Sequence, residues 1–294
     1  MGIFCLILAV FPFVPKREQE EESERKIITI WNVDTFEGGR GSRTSFLESV
    51  GHTLEKKGNV YFMVTSHTKE SAERQLKEGV YPDMLSSGMG MEGLPDVSCE
   101  AVPWCQGYYF YFCKEDDFSA ICSENTVVSI QENTASEVAA RLWGLDGELK
   151  SEPSLTAYVS FLNGKARYLL GTQRDYFRLK SREEVFFLKP VEDYSDLFQC
   201  ISILTDDESV LPTCRSYLAE LLSEQTQKRL SSIGMFGDGT EYEEDLPLAQ
   251  LKEISVRYTL PYYVSQQTIQ ELKELARKNG DENFLKNYLK GVDS

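Results

Sequence analysis

The chain has 294 residues, 41% hydrophobic and 12% aromatic, a composition that excludes a disordered segment and can supply two cores separated by a cleft. Its 47 acidic and 31 basic residues leave a formal net charge of −16, a field that opposes phosphate backbones, so no nucleic-acid partner is expected. Seven cysteines with no C-x-x-C pair, and two histidines (His52 and His67), argue against a structural zinc site.

Residues 2–15 are almost wholly apolar; Lys16 and Arg17 follow, then an acidic tract. That run is short for a membrane span and resembles the apolar region of a signal peptide. Residues 1–25 therefore read as a partial signal or anchor segment with an acidic spacer, and the other reading is a short buried element. On the first reading the protein is extracytoplasmic, secreted or anchored at the outer face of the cell membrane. Cys99, Cys105, Cys113, Cys122, Cys200 and Cys214 could then pair as disulfides; free buried thiols are the other reading.

Residues 26–33 (KIITIWNV) form a β-branched run of strand length without strict alternation, as suits a strand buried on both faces. The glycine-rich stretch up to Arg43 breaks the chain, Ser42 can cap a helix, and Phe46, Leu47, Val50 and Leu54 follow at helical spacing. A second buried strand is expected over 59–65, then a helix capped by Thr68 and ended by Gly79, then a third strand over 81–86. Strand, helix, strand, helix, strand predicts a doubly wound α/β sheet with ligands outside the strand carboxyl ends. In Ala101 to Phe112 a proline and a glycine flank aromatic residues, and the tail reads as strand-like. Little structure is expected between Cys122 and Ser154. A helix over 155–162, a strand over 166–170, a strand over 198–204, one periodic helix over 214–233, and helices over 267–278 and 282–289 complete the pattern.

Four stretches carry a resemblance. Ile30 to Arg43 (IWNVDTFEGGRGSR), Gly79 to Met84 (GVYPDM), Gly164 to Asp175 (GKARYLLGTQRD), and Leu221 to Gln227 followed by Ile233 to Phe236 resemble, in that order, pieces of extracellular solute-binding proteins of ABC importers, the group with the sugar-binding components. The resemblance implies a class II, periplasmic-binding-protein-like clamp: two lobes, each a sheet flanked by helices, with a hinge between. Lobe one would comprise 26–103 plus 198–233, and lobe two 104–197 plus 234–294. The implied function is capture of a small solute, carbohydrate favoured, between the lobes, and delivery to ABC permease subunits by a monomer that needs no cofactor and performs no chemistry. A degenerate binding protein acting as a surface sensor is the alternative, and a phosphate-ligand transferase on the same architecture a third.

Nine residues are candidate ligand contacts. Trp31 and Trp104 would stack on a ring, with core packing as the competing reading, and Tyr108 stands beside Gly107, which leaves room for a ligand. Asp34 and Glu37 would accept hydrogen bonds from hydroxyls or face a cation. Arg43, behind Gly38-Gly39-Arg40-Gly41, would meet an anion. Ser86 offers a hydroxyl, and Gln173 and Arg174 a planar amide and a guanidinium. No serine elbow and no base–nucleophile pair is evident, so no catalytic residue is assigned.

Overall fold

The computed structural model describes residues 25–36, 38–56, 58–94, 101–130, 136–142, 145, 149–191, 194–243, 247–249 and 265–278. The opening run becomes β1 (Lys26–Val33), and Ser42 accepts a hydrogen bond from the Ser45 amide to start α1 (Arg43–Glu55). β2 (Val60–His67), α2 (Lys69–Lys77) capped by Thr68, and β3 (Met84–Ser87) follow. β1 pairs in parallel with β2 on one side and with β3 on the other. Helices cover both faces because both faces of β1 are apolar. Ile28 and Ile30 pack with Phe46, Leu47 and Val50 of α1, whereas Trp31 and Val33 pack with Ala72 and Leu76 of α2.

The strand expected in the tail of the aromatic stretch is β5 (Tyr109–Cys113), and a further strand, β4 (Val102–Gln106), precedes it. β4 pairs with the first sheet and β5 with the second, so the chain crosses between lobes at Gly107 and Tyr108 rather than at Trp104. Pro103, which has no amide hydrogen, is tolerated because β4 is an edge strand. The second sheet then forms from β6 (Thr126–Ile130), β7 (Lys150–Pro153), β8 (Tyr168–Thr172), β9 (Phe187–Pro190) and β5. Its helices are α3 (Ser136–Leu142), α4 (Ser154–Leu162) and α5 (Gln173–Ser181). The interval from Cys122 to Ser154, expected to hold little, thus contains β6, α3 and β7.

β10 (Phe198–Ile203) returns to the first sheet. The strand orders are β2-β1-β3-β10-β4 and β7-β6-β8-β5-β9. In each, three neighbouring strands run parallel, one strand (β10 or β5) runs opposite to them, and the last (β4 or β9) pairs antiparallel with that one, which is the expected two-lobed α/β clamp. The two crossings, 107–108 and 191–197, are tied together: the Gly107 amide donates to Leu197 O at 2.7 Å and the Val191 amide to Tyr109 O at 3.0 Å. The single helix expected over 214–233 is three pieces, α6 (Leu211–Leu221), α7 (Glu224–Lys228) and a 3-10 turn (Arg229–Ile233), because Ser223 caps a fresh start through the Thr226 amide. α8 (Gln266–Arg277) closes the description; the helix expected over 282–289 and the leader-like segment before Arg25 lie outside the described residues.

One large apolar cluster joins the lobes. It runs from Ile28 and Ile30 through Tyr109, Tyr194 and Leu197 to Val128 and Leu170, and it takes in Ile269, Leu272 and Ala276 of α8. Cys105, Cys113, Cys122, Cys200 and Cys214 are free thiols, while Cys5 and Cys99 lie outside the described residues. No helix among the described residues is long and apolar enough to cross a membrane.

Candidate functional site

The carboxyl ends of β1 and β3 lead into a buried polar network. Ser86 Oγ donates to Asn32 Oδ1 at 3.1 Å and accepts from the Trp104 indole N–H at 3.1 Å. The fully buried Gln199 amide nitrogen lies 3.3 Å from Asn32 Oδ1, 3.0 Å from Val33 O and 3.1 Å from Ser86 Oγ. Its oxygen accepts from the Arg43 guanidinium at 3.3 Å. Arg43 also donates to Phe36 O, lies over the Phe36 ring, and pairs with Asp34 at 2.8 Å. A buried guanidinium needs this many partners, because an uncompensated charge in a low-dielectric interior is strongly unfavourable. The Asp34 side chain is 47% exposed, so the pair is screened on its outer side.

The candidates therefore divide. Asp34, Arg43, Ser86 and Trp104 do converge, but on one another. Trp104 is 1% exposed and stacked against Phe46. Trp31, 8% exposed, packs under α2 with its ring 4.5 Å from that of His67, on the other face of the sheet. Both tryptophans are packed in the core. Glu37 lies outside the described residues.

A second group sits between the lobes. Thr172 and Asp175 form a capping box that starts α5 and fixes Gln173 and Arg174 at the head of the helix. Gln173, fully buried, accepts from the Tyr108 amide at 3.1 Å, and its amide nitrogen is 3.5 Å from Met235 Sδ. A Cβ on Gly107 would lie 2.7 Å from the Gln173 amide nitrogen. The space that Gly107 leaves, assigned from sequence to a ligand, is thus filled by Gln173. Tyr108 meets Phe236 edge-on at 4.9 Å, and burial pushes its hydroxyl pKa up. Arg174 lines an open cavity of about 370 Å³ with Phe177, Arg178 and Ser181, facing Gly38, Gly39, Arg40 and Gly41 of the first lobe. This is where the glycine-rich turn and Arg174 come together.

A larger cavity of about 730 Å³ lies along the outer edge of β4, lined by Gln106, Tyr108, Gln227, Phe236 and Thr240 among others. Residues not singled out from sequence also border the interlobe region. Asp196 accepts from the Tyr109 hydroxyl at 2.6 Å on a crossing segment, and Glu137 lies in the first turn of α3. Thr35 Oγ1, Ser87 Oγ and Ser136 Oγ are buried without a hydrogen-bond partner among the described residues, and all three stand close after or at strand carboxyl ends or at a helix start. A polar residue inside an apolar strand, such as Asn32 in IWNV or Gln199 in FQCISI, was the available signal for the network. Among the described residues no cluster of metal-ligating side chains occurs.

No family model matches the chain, and no curated protein does. Solved structures do. A two-component system protein that mediates signal transduction superposes with a TM-score of 0.56 at 10% identity, covering 84% of this chain and 100% of its own. An ancestral cationic amino acid solute-binding protein gives 0.50 at 15% identity, covering 71% and 96%. A polar amino acid ABC uptake transporter substrate-binding protein from Streptococcus thermophilus gives 0.49 at 13% identity, covering 72% and 89%. The first two of these likenesses establish the two-lobed fold. The ancestral protein is named for cationic amino acids, so the carbohydrate expected from sequence finds no support in it.

Proposed function

We propose that the protein is a solute-binding component of an ABC importer, which holds a small polar solute between its lobes and presents it to a membrane permease. The observation that carries this reading is a polar interlobe cavity walled by Gly38 to Gly41 from one lobe and Arg174 to Ser181 from the other, beside a two-strand hinge. A solute touching both walls gains part of its contacts only when the lobes are together, so binding shifts the population toward closure. Arg174 is the proposed contact for an acidic group of the solute, with Arg40 beside it. Asp34 and Arg43 act as the anchor of the 34–42 turn rather than as direct contacts. The cationic amino acids for which the ancestral protein is named make amino acids the first solutes to try, ahead of sugars.

The test is a thermal-shift panel of L-arginine, L-lysine, L-glutamate, molybdate and maltose. A true solute at a hundredfold excess over Kd stabilises the native state by about 2.7 kcal/mol. Arg174→Ala should then weaken that solute roughly tenfold, about 1.4 kcal/mol. A melting curve unmoved by the whole panel would remove the reading. A second reading, a sensor lobe pair that signals through a membrane partner, is favoured by the match to a signal-transduction protein. It separates from the first if the loaded protein fails to stimulate ATP hydrolysis by its permease.

A further inference from the structure

α8 lies across the gap between the lobes. At its first turn the Gln266 amide donates to Gly90 O in the loop after β3, at 3.4 Å, and a Cβ on Gly90 would lie 3.2 Å from Ile269 Cδ1. Gly90 has φ +76°, so a side chain there is disfavoured twice, by backbone and by the helix. At its last turn Arg277 grips Glu137 of α3 with two parallel bonds, Nε to Oε2 at 2.8 Å and an Nη to Oε1 at 3.0 Å. The first contact is with lobe one and the second with lobe two. Between them Ile269, Leu272 and Ala276 are buried in the cluster that joins the lobes. Lys273, one turn before Arg277, feels the charges of Glu137 and Asp196.

The Glu137 side chain is 5% exposed and that of Arg277 59%, so the carboxylate faces inward while its cation is solvated on the outer side. The first turn of α3 follows the carboxyl end of β6, and the Gly90 loop follows that of β3, the places where such sheets present ligands. We propose that α8 is a tethered occupant of the interlobe space, held by the fork of Arg277 on Glu137, and that the solute displacing it carries a guanidinium or ammonium group. The inference rests on the solute-binding reading and deepens it. The fork of Arg277 on Glu137 is the geometry a free arginine side chain would use. Burial holds the Lys273 ammonium pKa below its ordinary value, and the charges of Glu137 and Asp196 offset that only in part.

The experiment is titration calorimetry of the full chain with L-arginine. Replacing Arg277→Gln together with Lys273→Gln keeps the apolar face of α8 and removes its charges. This double variant should bind L-arginine roughly tenfold more tightly than the unaltered chain. Adding Glu137→Gln should abolish the gain, and Arg167→Gln, which breaks a surface pair with Asp117, should change nothing. In the unaltered chain, L-arginine should also accelerate cleavage after Glu271 and Glu274 by a glutamate-specific protease, a readout that survives if the variants misfold. Equal arginine affinity in both folded proteins, or cleavage unaffected by arginine, would overturn the proposal. Binding of maltose or molybdate without arginine would sink this inference and leave the solute-binding reading standing; no binding at all would sink both.

Discussion

Gln199 commits both ends of its side-chain amide to the first lobe, the oxygen to Arg43 and the nitrogen to the cluster of Asn32, Val33 and Ser86. Replacing it with Met keeps the volume and orphans several buried polar atoms. Gln199→Met should cost on the order of 1–3 kcal/mol in urea denaturation, since an unsatisfied buried group forfeits its full solvation. Trp104→Ala removes the indole donor of Ser86 and leaves a cavity beside Phe46, for a loss of about 3–5 kcal/mol. Solute affinity of the folded fraction should be unchanged, which separates packing from contact. His67 lies beside Trp31, and burial lowers its pKa from the ordinary 6.5. A histidine whose folded pKa is depressed binds fewer protons than in the unfolded chain, so its share of stability is present above about 6.5 and declines as pH falls toward the folded value. Denaturation midpoints at about pH 7.5 and about pH 5 should differ by less in His67→Gln than in the unaltered chain.

At the scale of elements, Gly107 serves the crossing twice: its missing side chain lets Gln173 approach the backbone, and its amide, which any residue but proline would supply, donates to Leu197 O. Gly107→Ala would place a methyl 2.7 Å from the Gln173 amide nitrogen and should destabilise by about 1–3 kcal/mol. The combination Gly107→Ala with Gln173→Ala should cost less than the sum of the single changes, because the clash needs both partners. Long, strongly patterned elements were legible from sequence. β1 was found residue for residue, and the caps Ser42 and Thr68 held. β7 (KSEP) and β9 (FLKP) were not, because neither alternates cleanly nor is fully apolar; each is an edge strand specified by its neighbour. Helix α6 was overrun because the apolar periodicity continues past Leu222 while Ser223 restarts the backbone.

For the whole molecule, strand–helix alternation made the doubly wound sheet of the first lobe legible, and the two-lobed clamp was implied by the resemblance of four stretches to solute-binding proteins. The division of labour among site residues was not, since burial is a property of the assembled lobes. Trp104 and Trp31 look alike in sequence to residues that stack on solutes, and only packing sends them inward. The same holds for α8, whose amphipathic pattern announces a buried face without saying that two lobes supply the cover. The most direct measurement of the central claim is a hydrogen-exchange difference map of the full chain with and without each solute of the panel. Simultaneous protection of Gly38 to Gly41 in one lobe and Arg174 to Ser181 in the other is the expected result. Protection confined to a single lobe, or none with any solute, would contradict it.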